Sequence, residues 1–122
     1  MSELSGRELD AAVAEGVMGW EFISPTRSGN RQYRNADGDM ILVGESALIS
    51  TWKPSESIEA AMQVVEKMRE REWFVEIANT PTGWFVNFIY DVNERIDCPA
   101  VAQLLPEAIC KAALTALSEA QK

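Results

Sequence analysis

The fold is decided by the stretch GRELDAAVAEGVMGW at residues 6–20, which has a counterpart, PEAICKAAL, at residues 106–114. In both stretches apolar residues recur every three or four positions, the spacing of one face of an α-helix. A third stretch with this pattern, IEAAMQVVEKM, occupies residues 58–68. The sequence therefore predicts three amphipathic helices, one near each end of the chain and one in the middle.

Each predicted helix has a recognisable boundary. Gly16 and Gly19 weaken the first helix and indicate that it ends near them. Ser55 or Ser57 can cap the first turn of the second helix, and Pro106 suits the first turn of the third helix.

Between the helices the pattern changes to extended segments. Residues 32–35 and 40–43 flank the turn sequence NADGD, which predicts a β-hairpin. Residues 73–78 and 84–90 are aromatic and β-branched, and the turn sequence TPTG between them predicts a second hairpin. The order α-ββ-α-ββ-α predicts an α+β fold in which helices cover a mainly antiparallel four-stranded sheet.

The three helical stretches resemble the phage ABA sandwich domain, a family of small phage and prophage proteins. The resemblance covers most of the chain and implies a three-layer α-β-α sandwich, which agrees with the predicted order of elements. We expect one such domain over residues 1–122, because no repeat, low-complexity tract or linker divides the chain.

The composition predicts a cytoplasmic protein. Of the 122 residues, 47 % are hydrophobic and 25 % are charged, which is the balance of an ordinary soluble domain. The first residues lack the basic and apolar regions of a secretory signal. No apolar run approaches the roughly 18 residues that a membrane span requires. If the chain is encoded by a phage, its expected location is the host cytoplasm.

The net charge of −8 argues against general nucleic-acid binding, because such binding depends on clustered lysines and arginines that displace counterions. The same charge permits a different kind of partner. An acidic surface can attract a basic protein, so a protein–protein interaction module that binds a host or phage protein is one functional hypothesis. A simply soluble acidic surface is the alternative.

Most enzyme classes are disfavoured. The chain has no histidine, which removes serine–histidine and cysteine–histidine dyads and all histidine metal motifs. No phosphate-binding glycine motif follows a strand, and Cys98 and Cys110 match neither a zinc site nor a disulfide in a reducing compartment. We therefore predict a non-enzymatic protein without metal or cofactor. A small hydrolase that uses paired carboxylates is the remaining enzymatic alternative.

A short basic segment interrupts the acidic chain. Three of the eleven basic residues fall within residues 27–34, and no acidic residue occurs among them. Guanidinium groups bind phosphates through paired hydrogen bonds, and aromatic rings can stack on a base. The alternative is a solvated loop whose arginines pair with nearby acids. The candidate ligand-binding residues are Arg27, Arg31, Tyr33, Arg34, Trp52 and Lys53.

Trp52 is singled out because it lies on a predicted loop before the second helix, where it is expected to be exposed. The third helix is rich in alanine, which permits close packing either on the sheet or on a second copy of the chain. We expect a homo-oligomer on this basis, with core packing as the alternative.

These features suggest two functions. The first is a small-ligand sponge that sequesters a nucleotide-type host immune signal, such as a cyclic nucleotide or an ADP-ribose-type molecule, and so acts in anti-defence. This hypothesis rests on the basic segment and on the tendency of small phage accessory proteins to act by binding. The second is the protein-interaction module already described.

Overall fold

The computed structural model describes residues 6–25, 31–43 and 52–120 of the chain. Over these residues three helices alternate with two groups of three strands, so the α+β class is confirmed. In chain order the elements are α1 (Gly6–Gly16), β1 (Glu21–Pro25), β2 (Arg31–Arg34), β3 (Met40–Val43), α2 (Ile58–Glu70), β4 (Trp73–Thr80), β5 (Gly83–Asp91), β6 (Arg95–Ala102) and α3 (Leu105–Ala120).

Each group of strands forms its own antiparallel sheet. The small sheet has the order β1-β2-β3, and the main sheet, with longer strands, has the order β4-β5-β6. Both predicted hairpins are confirmed, because β2 pairs with β3 and β4 pairs with β5. The predicted single four-stranded sheet is not confirmed: the hairpins lie in separate sheets, and each one gains a third strand.

The two additional strands carry weak sequence signals. Strand β1 ends in Pro25, and its pairing with β2 shifts register between Phe22 and Ser24. Strand β6 contains Asp97 and Pro99, two residue types that are depleted in strands. Both strands lie at a sheet edge, where a proline is tolerated because its nitrogen need not donate to a neighbour.

The hydrophobic core lies between the helices and one face of the main sheet. Val86 and Phe88 of β5 and Ile109 of α3 are fully buried there, together with residues of α1 and α2. Helix α1 packs against α3 and also contacts β3, so it connects the main core to the small sheet. A second cluster, which includes Ala14 and Tyr33, fills the space between α1 and the small sheet.

Helix α2 begins where the sequence predicts. Ser57 is the N-cap, and its hydroxyl oxygen accepts the backbone N–H of Ala60 at 3.3 Å. The helical spacing of the apolar residues predicts that Ile58 and Met62 share the buried face with Ala61, Val65 and Met68. Ile58 and Met62 are instead exposed, so the buried face is rotated from the predicted one. The residues of α2 that enter the core are Ala60, Ala61, Val64, Val65 and Met68.

The alanine-rich helix α3 packs inside the protein. It contacts β5, β6, α1 and α2, so the core-packing alternative describes this helix. Its small side chains are buried within one chain, and this face is not available to a second copy. The buried alanines are Ala108, Ala112, Ala113 and Ala116.

The start of β5 requires glycine. Gly83 has φ +154°, and a Cβ atom placed there would lie 2.4 Å from the carbonyl oxygen of Ala102 in β6. We expect Gly83→Ala to lower the free energy of unfolding by about 2 to 3 kcal/mol, because it adds a clash with backbone to an unfavourable conformation. Denaturant unfolding followed by circular dichroism measures this effect.

Gly38→Ala provides the matched control. Gly38 also has a positive φ of +89°, but a Cβ atom there would meet no atom of the described, non-adjacent residues within 4 Å. Gly38→Ala should therefore lower the free energy of unfolding by about 1 kcal/mol, which is the cost of the backbone conformation alone. Equal losses in the two variants would contradict the role assigned to the contact with Ala102.

Candidate functional site

The basic segment is divided between two faces of the small sheet. Arg31 and Tyr33 alternate with Arg34 along β2, so Arg34 projects from the opposite face. The guanidinium of Arg31 pairs with Glu15 of α1 at 3.4 Å, and that of Arg34 pairs with Glu21 of β1 at 3.9 Å. Arg27 lies outside the described residues. The structure therefore joins the described arginines to carboxylates rather than to one another.

Tyr33 is a core residue rather than a surface ring. It has no exposed surface, and its hydroxyl donates a hydrogen bond to Glu15 at 3.0 Å. Burial raises its pKa, as does the neighbouring carboxylate of Glu15. Glu15 thus accepts hydrogen bonds from both Tyr33 and Arg31, which fixes β2 against helix α1.

The exposed ring beside this segment is Phe22. It contacts Tyr33 edge to face at a centroid distance of 5.6 Å, and the guanidinium of Arg31 lies 5.9 Å from its centroid. Half of the Arg31 side chain is accessible. A cation and an aromatic ring are therefore available at this edge of the small sheet.

Trp52 is half-buried, in contrast to the exposure predicted for it. Its ring packs on Trp20 at a centroid distance of 4.5 Å, and its Nε1 donates to Gln63 at 2.7 Å. Trp52 also forms a parallel bridge with Val43, which attaches the segment before α2 to the small sheet. Lys53 pairs with Glu56 at 3.8 Å within the following turn.

A second surface lies on the face of the main sheet that is opposite the helices. We call it the open face. Phe74 and Val101, on its two edge strands, are 62 % and 58 % exposed. Phe85 and Ile89 of β5 lie between these strands. Phe85 is partly buried and Ile89 is largely buried. Large apolar residues in such a position mark interaction surfaces more often than residues scattered singly.

A polar cluster occupies the middle of the open face. The side chain of Asn87, which is only 6 % exposed, donates through Nδ2 to Glu76 at 3.2 Å and to Asp97 at 3.0 Å. Arg95 binds Asp97 with both Nε and Nη2 at 3.1 to 3.2 Å. The hydrogen bonds from Arg95 and Asn87 lower the pKa of Asp97, which is therefore an anion at neutral pH.

The open face continues into a groove of about 290 Å³ between β6 and helices α1 and α3. Pro99 and Val101 of β6, Leu9 of α1 and Leu114 of α3 line its apolar part. Lys111 also lines the groove and pairs with Glu107 at 3.4 Å. The groove therefore adjoins the open face along the edge strand β6.

The sequence matches the model of the Phage ABA sandwich domain family over residues 11–114. The chain belongs to this family. No curated protein and no solved structure matches it significantly. The family assignment confirms the resemblance seen in the helical stretches and identifies the chain as a phage-family domain.

The described residues of this phage ABA sandwich domain also bear on membrane insertion, metal binding and thiol reactivity. Within the described residues no helix is long and apolar enough to cross a membrane. In the same part of the chain no three His, Cys, Asp or Glu side chains come together as a metal site. Cys98 and Cys110 are free, buried thiols, and burial raises the pKa of each, which lowers their reactivity.

The open face escaped the sequence analysis, but the sequence contains a signal for it. Strand β5 reads GWFVNFIYD, so both of its faces are largely apolar. Such a run is typical of a strand that is covered on both sides. The run predicted a strand, and its second apolar face corresponds to Phe85 and Ile89 on the open face.

Among the described residues, Asp10 is the carboxylic acid that is buried. Asp10 of α1 is 1 % exposed and accepts the backbone N–H of Ser55 at 2.8 Å, which connects α1 to the turn before α2. Burial raises its pKa from 3.8 to about 6, although the hydrogen bonds with Ser55 oppose this change. Glu56 raises the pKa and Lys53 lowers it, both more weakly.

The raised pKa of Asp10 predicts that its ionisation destabilises the fold. Between pH 4 and 6 the folded state holds a proton that the unfolded state has released, so stability falls as the pH rises through this window. Asp10→Asn stays neutral and keeps an acceptor for Ser55. We therefore expect the free energy of unfolding of Asp10→Asn, relative to that of the wild type, to rise by about 3 kcal/mol between pH 4 and pH 7.

Urea unfolding at several pH values measures this difference. Glu56→Gln is the matched control, because it removes an exposed carboxylate near Asp10 but leaves Asp10 in place, so most of the pH dependence of the wild type should remain. A stability difference between wild type and Asp10→Asn that does not change with pH would contradict the assignment.

Proposed function

We propose that this phage ABA sandwich domain is a non-enzymatic accessory module of the host cytoplasm that binds another protein on its open face. The observation that carries the proposal is the exposure of Phe74 and Val101 around the largely buried Ile89. The arrangement combines accessible apolar area with a regular three-stranded antiparallel sheet. Both are properties of surfaces that bind proteins without large rearrangement.

The family name supports the same proposal. In a three-layer α-β-α sandwich, helices cover both faces of a sheet, whereas α2 and α3 pack on one face of the main sheet here. The apolar run of β5 suits coverage on both sides. We propose that an amphipathic segment of the partner supplies the second covering layer.

The charge distribution defines the partner further. Residues 73–103, which form the main sheet and its connections, contain four acidic residues and one basic residue, Arg95. The whole chain has a net charge of −8. Self-association through this face would bring like charges together, so a basic amphipathic segment of a host or phage protein is the better occupant.

Site-specific photocrosslinking tests this proposal. A benzophenone amino acid at Phe74 should capture one partner at stoichiometric yield in phage-infected cells. The same label at Met62, an exposed apolar residue of α2, is the matched control and should not capture it. The captured protein should then bind the purified domain, and high salt should weaken the complex because screening reduces the charge attraction.

Substitutions on the open face provide a second measurement. With the purified partner, Phe74→Ser and Val101→Ser should each weaken binding about tenfold or more, because each removes a large apolar side chain that the partner would cover. Ile58→Ser and Met62→Ser on α2 should have little effect. Equal labelling from positions 74 and 62, or a second copy of the chain as the captured protein, would refute the proposal.

A ligand-binding function is the second candidate, supported by the contact of Arg31 with the exposed ring of Phe22. We propose in this case a homo-oligomeric sponge that sequesters a nucleotide-type host immune signal. The cation and ring could bind a phosphate and a base. The pairing of Arg31 with Glu15 and of Arg34 with Glu21 makes this function less favoured, since a phosphate must displace these carboxylates.

Thermal melting with cyclic dinucleotides, cyclic ADP-ribose and ADP-ribose tests the second candidate. A ligand at one hundred times its dissociation constant should stabilise the fold by about 2.7 kcal/mol, and Arg31→Ala with Arg34→Ala should remove the effect. Arg69→Ala, which removes an exposed arginine of α2, is the control. A melting temperature that none of these molecules raises would exclude binding of this class.

A further inference from the structure

The geometry of the open face points to a specific subsite within it. We propose that Asn87, together with the carboxylates of Glu76 and Asp97 that it bridges, binds a guanidinium group. In the docked complex this group would be an arginine side chain of the partner. The inference rests on the proposed docking function and names the chemistry that the partner must carry.

The three side chains come from the three strands of the main sheet. Asn87 of β5 lies directly opposite Glu76 of β4. Asp97 of β6 lies diagonally from Asn87, opposite Ile89, which is two residues further along β5. The Nδ2 atom of Asn87 donates to Oε1 of Glu76 and to Oδ1 of Asp97. Two carboxylates are thereby held on one surface, with an amide between them.

The amide of Asn87 has an unused acceptor. Because Nδ2 donates to two carboxylates, the positions of Nδ2 and Oδ1 cannot be exchanged, and the buried Oδ1 has no hydrogen-bond partner among the described residues. A buried acceptor left without a donor costs free energy. The cluster therefore combines an excess of negative charge with an oxygen that lacks an N–H group.

A guanidinium group meets both requirements. It carries five N–H donors in one plane, so it can bond a carboxylate with two of them and still offer a donor to an amide oxygen. The ammonium group of lysine is a compact point charge without this planar fork. The subsite should therefore distinguish arginine from lysine, and both from a neutral analogue.

The protein already shows this chemistry at Asp97. Arg95 binds that carboxylate through Nε and Nη2 and remains more than half exposed. An exposed pair of this kind contributes little free energy, so an incoming guanidinium can replace Arg95 at small cost. Phe74, which lies across Ile89 from Asp97, offers a ring that can cover the bound cation.

Solution NMR of the full chain provides the test, with N-acetyl-arginine amide as the probe. The probe should shift the side-chain amide signals of Asn87 in a saturable manner. N-acetyl-lysine amide should bind about tenfold more weakly, because it cannot form the paired hydrogen bonds, and N-acetyl-citrulline amide should not bind. Equal binding of the arginine and lysine probes would overturn the inference.

Substitutions identify the side chains that bind the arginine probe. Asn87→Leu and Asp97→Asn should each weaken binding of the arginine probe about tenfold, while Glu70→Gln, an exposed carboxylate of α2, should not change it. Arg95→Ala should strengthen it by removing the internal competitor. For Asn87→Leu the backbone signals report whether the fold is intact, and Asp97→Asn gives an independent measurement. Unchanged affinity in both would overturn the inference.

The results for the guanidinium subsite can be distinguished from those for the docking proposal. If a label at position 74 captures a protein but the arginine probe does not bind, the guanidinium subsite is wrong and the docking function stands. If the probe binds at Asn87 but position 74 captures no protein, the subsite stands and the docking function fails.

Discussion

The close packing of helix α3 on the main sheet is the constraint on which the rest of the structure depends. Four of its alanines, Ala108, Ala112, Ala113 and Ala116, are fully buried. Because their side chains end at Cβ, the helix backbone can approach β5 and β6 closely. Phe88 and Val86 fill the space that remains. Since α3 also contacts α1 and α2, this one interface positions both other helices, and α1 in turn positions the small sheet.

Elements with strong local signals could be predicted from the sequence, whereas their association could not. The turn sequences at residues 35–39 and 80–83 identified both hairpins. The alternatives Ser55 and Ser57 identified the start of α2, and the structure selects Ser57 as its cap. Strands β1 and β6 are edge strands, so their proline residues cost little in the structure but obscure the pattern. The separation of the hairpins into two sheets depends on contacts between distant residues, which no local pattern records.

The same distinction applies to the candidate site. The basic segment is visible as composition, but the acids that pair with Arg31 and Arg34 come from α1 and β1, and only the fold brings them together. Trp52 lies on a connecting segment, which suggested exposure, yet Trp20 and Gln63 enclose much of its ring. A charge or a ring can be assigned to a ligand only after its partners within the chain are known.

The two faces of the main sheet differ in what covers them. One face is closed by the chain's own helices, and small side chains on α3 make the closure tight. The open face must remain hydrated when no partner is present, and the carboxylates of Glu76 and Asp97 attract water beside Phe74 and Val101. The same carboxylates would be costly to bury without compensating charge. A partner that covers the apolar residues must therefore bring cationic groups to the carboxylates, so burial of this face and charge selectivity become a single requirement.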